Sequence, residues 1–109
     1  MAHDCVFCDI VAGKFGTKFV YEDDVCVAFL DLKPMAPTHV LVVPREHHAK
    51  LQEAAGEEAM LGRLLSVAGK VVPSRDFRVV INNGTEAGQT VYHLHLHVLS
   101  GRHFGWPPG

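Results

Sequence analysis

The stretch His93-Leu94-His95-Leu96-His97-Val98-Leu99 constrains this chain more than any other. Successive side chains of a strand point to opposite faces. The period of two therefore predicts a strand over 89–99 with His93, His95 and His97 on one face. Leu94, Leu96 and Val98 then face a core. Three readings of the histidine row are open. It is a half-exposed strand that carries polar residues incidentally; or it binds zinc, since imidazole is a common metal ligand and some catalytic zinc sites use three; or one imidazole is a nucleophile and its neighbours orient it and neutralise charge. The alternation alone does not choose among them.

A chain of 109 residues suits one domain, 1–109, with 100–109 as a C-terminal tail. The net charge of −2 offers no basic footprint for nucleic acid. No apolar run is long enough to span a bilayer, and the N-terminus lacks a charged-then-apolar signal pattern, so no membrane partner is expected. Three cysteines, an odd number, argue against a disulfide framework, and a reducing cytoplasm is the economical location.

Along the chain, Asp4 is placed to cap a short helix over 5–12 that Gly13 stops. Cys5 and Cys8 share a face of it, as do Phe7 and Ile10 on another side. A hairpin is expected from 19–22 and 25–32 around Asp23-Asp24, with Asp31 near its end. His39-Val40-Leu41-Val42-Val43 reads as a third strand stopped by Pro44. A second helix is expected over about 57–72, with Leu61, Leu64, Leu65 and Ala68 on its stripe and Pro73 as its stop. Gly62 and Gly69 on that helix could admit another backbone. Residues 77–82 read as a fourth strand, followed by a polar loop, the histidine strand and an irregular tail. Cys26, inside an apolar strand, reads as an inert buried thiol, and His3 and His103 as surface residues. The order predicts an α+β fold with an antiparallel meander.

The histidine row with Gly88-Gln89-Thr90-Val91 before it resembles the signature of the histidine triad (HIT) superfamily. The similarity extends through Tyr21-Glu22-Asp23-Asp24, Ala28-Phe29-Leu30-Asp31 and Ala36-Pro37-Thr38-His39. Gly101-Arg102 and the ending Trp106-Pro107-Pro108-Gly109 resemble the Hint branch, the purine nucleoside phosphoramidases. The resemblance implies a HIT-like fold of five antiparallel strands and two helices, its sheet continued across a homodimer. It also implies hydrolysis of a purine mononucleotide joined to an amine or another leaving group, with no catalytic metal. By position, His95 is then the nucleophile, flanked by His93 and His97, and His39 completes the set. Thr90 and Asn82, with Gln89 and Val91 beside them, match positions around the phosphate. Asp31 matches the ribose-binding residue, and Phe7, Ile10, Phe29 and Leu32 match the walls around the base. Trp106 matches a tail residue that approaches the partner subunit's site. Phe15-Gly16-Thr17 departs from relatives that carry Pro in its middle position.

Elementary chemistry agrees with these roles. A neutral imidazole, with an ordinary pKa of about 6.5, is a good nucleophile at neutral pH. One ring nitrogen must keep its proton and donate it, to a backbone carbonyl for example, so that the other lone pair is aimed at phosphorus. His97 can donate to a phosphate oxygen, and the loop 86–90 can bring N–H groups to the anion. Cys5-Val6-Phe7-Cys8 is a Cys-x-x-Cys pair, and two thiolates with two imidazoles would make a closed, structural zinc site. Two free buried thiols and a redox pair are the rival readings. In some members of the superfamily, bacterial ones especially, the remaining ligands are a histidine after the third strand and the first of the triad, which implies His47 and His93 here, with His48 as the substitute for His47. The competing functions are a metallohydrolase with zinc held by the triad, a dinucleoside polyphosphate hydrolase, and a non-catalytic nucleotide-binding protein.

Overall fold

The computed structural model describes residues 5–109; Asp4 and His3 lie outside the described residues. Among the described residues there are two α-helices, α1 (Val6–Val11) and α2 (Glu58–Ala68), and five strands. The strands are β1 (Tyr21–Glu22), β2 (Cys26–Leu30), β3 (Thr38–Pro44), β4 (Phe77–Val80) and β5 (Leu96–Ser100). All pair antiparallel in one sheet of order β1-β2-β3-β5-β4. The fold is the expected α+β class, but it is not a simple meander. β5 inserts between β3 and β4, which puts the last histidine directly across from β3 and leaves β4 at an edge.

Period-two patterning gives the sheet two different faces. Cys26, Ala28, Val40, Val42, Leu96 and Val98 face α2 and join Leu64, Val67 and Ala68 in a fully buried core. Each such Leu or Val contributes about 1.5–3 kcal/mol relative to an exposed position. Val27, Phe29, Leu41 and Val43 face α1 and pack with Cys5 and Phe7. The second face carries the histidines, because Leu41 pairs with His97 and Phe29 with Leu41 across the ladder.

Three sequence expectations change. α2 ends at Ala68, with the Gly69 N–H returning to the Leu65 carbonyl, rather than at 72. Pro73 disfavours a helical Val72, and Val72 instead enters the core from a bend. The buried stripe is Leu64, Val67 and Ala68, whereas Leu65 is exposed, and nothing lies within 4 Å of a Cβ built on Gly62. α1 is capped by Cys5, whose Sγ accepts from the Cys8 N–H at 3.3 Å.

The largest change is in the histidine strand. Its ladder begins at Leu96, so His93 and His95 precede it. Val42 pairs with Leu96. Two residues further would set Leu94 opposite Pro44, which has no N–H for the Leu94 carbonyl and whose own carbonyl takes the His93 Nε2–H. The Leu94 N–H goes instead to the His48 carbonyl at 2.6 Å. The alternation still holds beyond the ladder, since Leu94 is buried in the α2 core while His93 and His95 pack edge-on against Phe7 of α1. At the other end of β5, Gly101 has φ +98°, and a Cβ there would sit 2.8 Å from Pro37. Only glycine lets the tail cross the β2–β3 connection so closely.

Candidate active site and metal centre

A cleft of about 370 Å³ opens on the α1 face of the sheet. Phe7 and Ile10 of α1 and Phe29 of β2 form apolar walls, with Leu32 on the rim, 96% exposed. Asp31, Thr90 and Val91 line it together with His95 and His97. Thr17, Lys33 and Leu41 also line it, and the residue reading had not singled them out. Gly16 has φ +63°. Proline cannot adopt that angle, so the departure at this position gives the backbone beside Thr17 a course that proline would forbid. Asp31 is held by its own turn, with Oδ1 accepting from the Lys33 N–H at 2.8 Å.

The hydrogen bonds assign tautomers to His95, His39 and His97. His95 Nδ1 lies 2.7 Å from the His93 carbonyl. A carbonyl only accepts, so Nδ1 carries the proton and Nε2 holds the lone pair. The Met35 N–H donates to His39 Nδ1 at 3.0 Å, which places the His39 proton on Nε2. That nitrogen lies 2.9 Å from His97 Nδ1 and donates to it. His97 then keeps its proton on Nε2. One ring in the row offers a lone pair and the other an N–H. Neither the Met35 amide nor the His93 carbonyl can be read from residue types, because both are backbone groups.

Burial holds the set neutral. It pushes His97 down to about 4, with His95 and His39 adding to the effect and Asp31 opposing it. Burial also lowers His95, against the stabilising His93 carbonyl and Asp31. It lowers His39 in the same way, opposed by Asp31, whose Oδ2 is 3.5 Å from Nε2.

Behind the row lies a second cluster. His93 is fully buried, and its Nε2–H donates to the Pro44 carbonyl at 2.9 Å. Its Nδ1 lone pair faces Cys5 Sγ at 3.3 Å, Cys8 Sγ at 3.4 Å and His47 Nδ1 at 3.2 Å. Cys8 Sγ is 3.3 Å from His47 Nδ1. Zinc bonds of about 2.3 Å to sulfur and 2.0–2.1 Å to nitrogen imply tetrahedral N–N and N–S edges of about 3.3–3.6 Å. The four donors are spaced to fit such an ion, and the Pro44 carbonyl supplies the outer hydrogen bond that orients a ligating imidazole. Burial and the neighbouring Cys5 push the Cys8 thiol up to about 11, so a cation must displace its proton. His48 is not in the cluster; its Nε2 pairs with Glu46 at 2.7 Å.

The remaining expected residues lie elsewhere. The Gln89 amide is committed to the loop, accepting from the Gly84 N–H and donating to the Ala49 and Val91 carbonyls. It positions Thr90 and Val91 rather than lining the cleft. Asn82 does not line the cleft and sits 3.9 Å from a Cβ built on Gly88. Trp106 is 84% exposed on the surface of this chain.

Comparison with known proteins agrees with this geometry. Residues 13–104 match the HIT domain family. The chain belongs to that family. It is 49% identical to an uncharacterized HIT-like protein of Synechocystis sp. and 46% identical to one of Synechococcus elongatus, in both cases over 100% of each chain. Among solved structures, it resembles a HIT family hydrolase from Legionella pneumophila with a TM-score of 0.91 and 38% identity, covering 97% of this chain and 100% of that one. A histidine triad protein from Clostridium difficile gives a TM-score of 0.88 at 38% identity, with 96% of each chain covered. The HIT fold is thus shared over nearly the whole chain.

Proposed function

We propose that this HIT protein is a nucleotide-binding hydrolase of the Hint-like branch, cleaving purine nucleoside 5′-phosphoramidates or related nucleoside monophosphate conjugates. The observation that carries the reading is the His95 tautomer: Nδ1–H fixed by the His93 carbonyl at 2.7 Å, with Nε2 carrying the lone pair. In this reading Phe7, Ile10, Phe29 and Leu32 grip the base, and Asp31 accepts from the ribose hydroxyls. Thr90 and Val91, steadied by Gln89, approach the phosphate, with Asn82 near the loop.

His95 Nε2 attacks phosphorus in line. A bond forms from Nε2 to phosphorus as the bond from phosphorus to the leaving nitrogen breaks, and the amine departs with a proton from water. His95 becomes a nucleotidylated imidazolium whose charge the His93 carbonyl stabilises through Nδ1–H. His97 Nε2–H donates to a phosphate oxygen as negative charge builds there. Water then displaces His95, releasing the nucleoside monophosphate and returning the ring to its neutral form.

Asp31, His39 and His97 also lie close enough to hold a metal ion. The Met35 N–H occupies His39 Nδ1 and keeps the proton on Nε2, the nitrogen that faces the other two. This disfavours a triad-held metal. Cys5, Cys8, His47 and His93 would hold a structural zinc that, when bound, supplies a closed tetrahedral clamp between α1 and the histidine segment. The proposal includes a cytoplasmic homodimer whose sheet continues from one subunit to the next, with Trp106 approaching the partner subunit's site.

The test is hydrolysis of adenosine 5′-phosphoramidate by the wild type and His95→Ala, each with and without a chelator. Turnover abolished in His95→Ala but only reduced with chelator is expected. Turnover abolished by chelator, down to the level of His95→Ala, with the fold intact would sink the metal-free mechanism, and no turnover in any arm would favour a binding protein.

A further inference from the structure

His93 belongs to both constellations at once. Its ring nitrogen faces Cys5, Cys8 and His47, and its carbonyl holds the proton of His95. That carbonyl shares one peptide plane with the Leu94 N–H, since the two flank a planar bond. The plane lies outside the β3–β5 ladder, which begins at Leu96, so the sheet does not fix its orientation. What fixes it is local. The Leu94 N–H donates to the His48 carbonyl at 2.6 Å, and His48 follows His47 directly. Both sides of the plane are therefore tied to members of the cluster: the His93 ring on one side, and the backbone following His47 on the other. The ring is buried against Phe7 and its far nitrogen donates to the Pro44 carbonyl, so rotation of His93 is opposed by this packing, by that hydrogen bond and by whatever joins the four donors.

We infer that His93 is a positioning residue that couples occupancy of the Cys5–Cys8–His47–His93 cluster to the tautomer and aim of His95. The cluster's ligand is a divalent cation of the zinc class with tetrahedral preference. When the four donors converge on it, the 93–94 peptide is held with its carbonyl toward His95 Nδ1. When they do not, the carbonyl swings and His95 loses the acceptor that keeps its Nε2 lone pair free. The inference rests on His95 being the nucleophile, and it makes the metal centre an effector of the chemical step rather than a remote clamp on the fold.

The experiment uses the full chain labelled with 15N at histidine, loaded with one equivalent of zinc, then stripped by chelator under reducing conditions, then reloaded. Three quantities are read: the His95 ring nitrogen shifts, the circular dichroism, and kcat and KM for adenosine 5′-phosphoramidate. With zinc, His95 should show a single Nδ1-protonated tautomer. Without it, the shifts should report mixed tautomers, with kcat down about 10- to 100-fold, as for loss of outer-shell support, and KM changed far less. Reloading should restore both, and Cys8→Ala should behave as the stripped protein and ignore added zinc. Unchanged shifts, or a tautomer change without the fall in kcat, would overturn the inference. Loss of the whole fold on stripping would overturn it too, because the ion would then serve stability alone. If the wild type shows no turnover, the proposed activity fails separately, and the nitrogen shifts still decide whether the coupling exists.

Discussion

Replacing His39 by alanine interrogates the proton chain that ends at the cleft. The Met35 N–H donates to His39 Nδ1 at 3.0 Å, and His39 Nε2–H donates to His97 Nδ1 at 2.9 Å. Alanine removes the second bond and frees His97 to move its proton to Nδ1, which would withdraw the N–H from the phosphate side. A neutral hydrogen bond contributes about 0.5–1.5 kcal/mol net, which corresponds to a fall of about 2- to 12-fold in kcat. His97→Ala removes the donor itself and should fall by about 100- to 1,000-fold. His39→Gln should stay near the wild type, since its amide nitrogen can reach the position of Nε2 and donate to His97. His39 is 4% exposed, and alanine also strands the Met35 N–H at about 1–3 kcal/mol of stability. Steady-state kinetics with a phosphoramidate should therefore be run well below the melting temperature of each variant. A loss in His39→Ala equal to that in His97→Ala would refute the relay, because His39 would then touch the reacting atoms. Activity equal to the wild type would refute it in the other direction.

Burial lowers the His95 pKa, so the acid limb of kcat/KM should be centred below about 6.5. A limb centred above that value would rule out a neutral-imidazole nucleophile. His97 is pushed down to about 4. The unfolded chain therefore binds more protons than the folded one between about pH 6.5 and pH 4, and stability should fall as pH drops through that window; urea midpoints at pH 7.5 and pH 5 would reveal the sign. Leu64→Ala should cost about 2.7–5 kcal/mol, while Leu65→Ala, at a 57% exposed position, should stay within about 0.5 kcal/mol; equal losses in denaturant melts would return Leu65 to the core. Gln89→Leu removes three hydrogen bonds to loop backbone and should cost about 2–3 kcal/mol, with kcat falling as Thr90 and Val91 lose their support; an unchanged melt would show that the loop is held by other contacts.

The elements that sequence patterning located best were those whose physics is local. Alternation across residues 40–43 and 96–98 sorts side chains to the correct faces because strand geometry leaves no other choice. Strand order was not legible in the same way. Nothing in the residues of β4 or β5 says which of them lies beside β3, since that depends on long-range pairing. The α2 stripe takes Val67 in place of Leu65: Val67 and Ala68 follow Leu64 by three and four and share its face, while Leu65 lies on the exposed flank. Side-chain donors such as Cys8 and His47 were legible as candidates, but their convergence needed coordinates. Gln89 illustrates the limit of residue type, because an amide beside a polar glycine-containing loop looks the same in sequence whatever it bonds, and its contacts to the Gly84, Ala49 and Val91 backbone needed coordinates.

The histidine row shows why pattern and role separate. Equal spacing suggests three equivalent imidazoles, yet each ring is defined by what its second nitrogen meets. For His93 that is the Pro44 carbonyl, for His95 the His93 carbonyl, and for His97 the His39 ring. Two of the three partners are backbone oxygens available because the ladder stops short of them. Pro44 is decisive here. It has no N–H to offer the Leu94 carbonyl, and its own carbonyl, the ladder acceptor for the Leu94 N–H, is taken by the His93 ring, so the Leu94 N–H turns to His48. The 93–94 peptide therefore does not take its orientation from the sheet. A proline at the end of β3 thus leaves the segment carrying His93 and His95 to be oriented by the imidazoles and thiols around it, and the same alternating sequence yields a ring facing two thiols and a second imidazole, a ring with a free lone pair and a ring that donates.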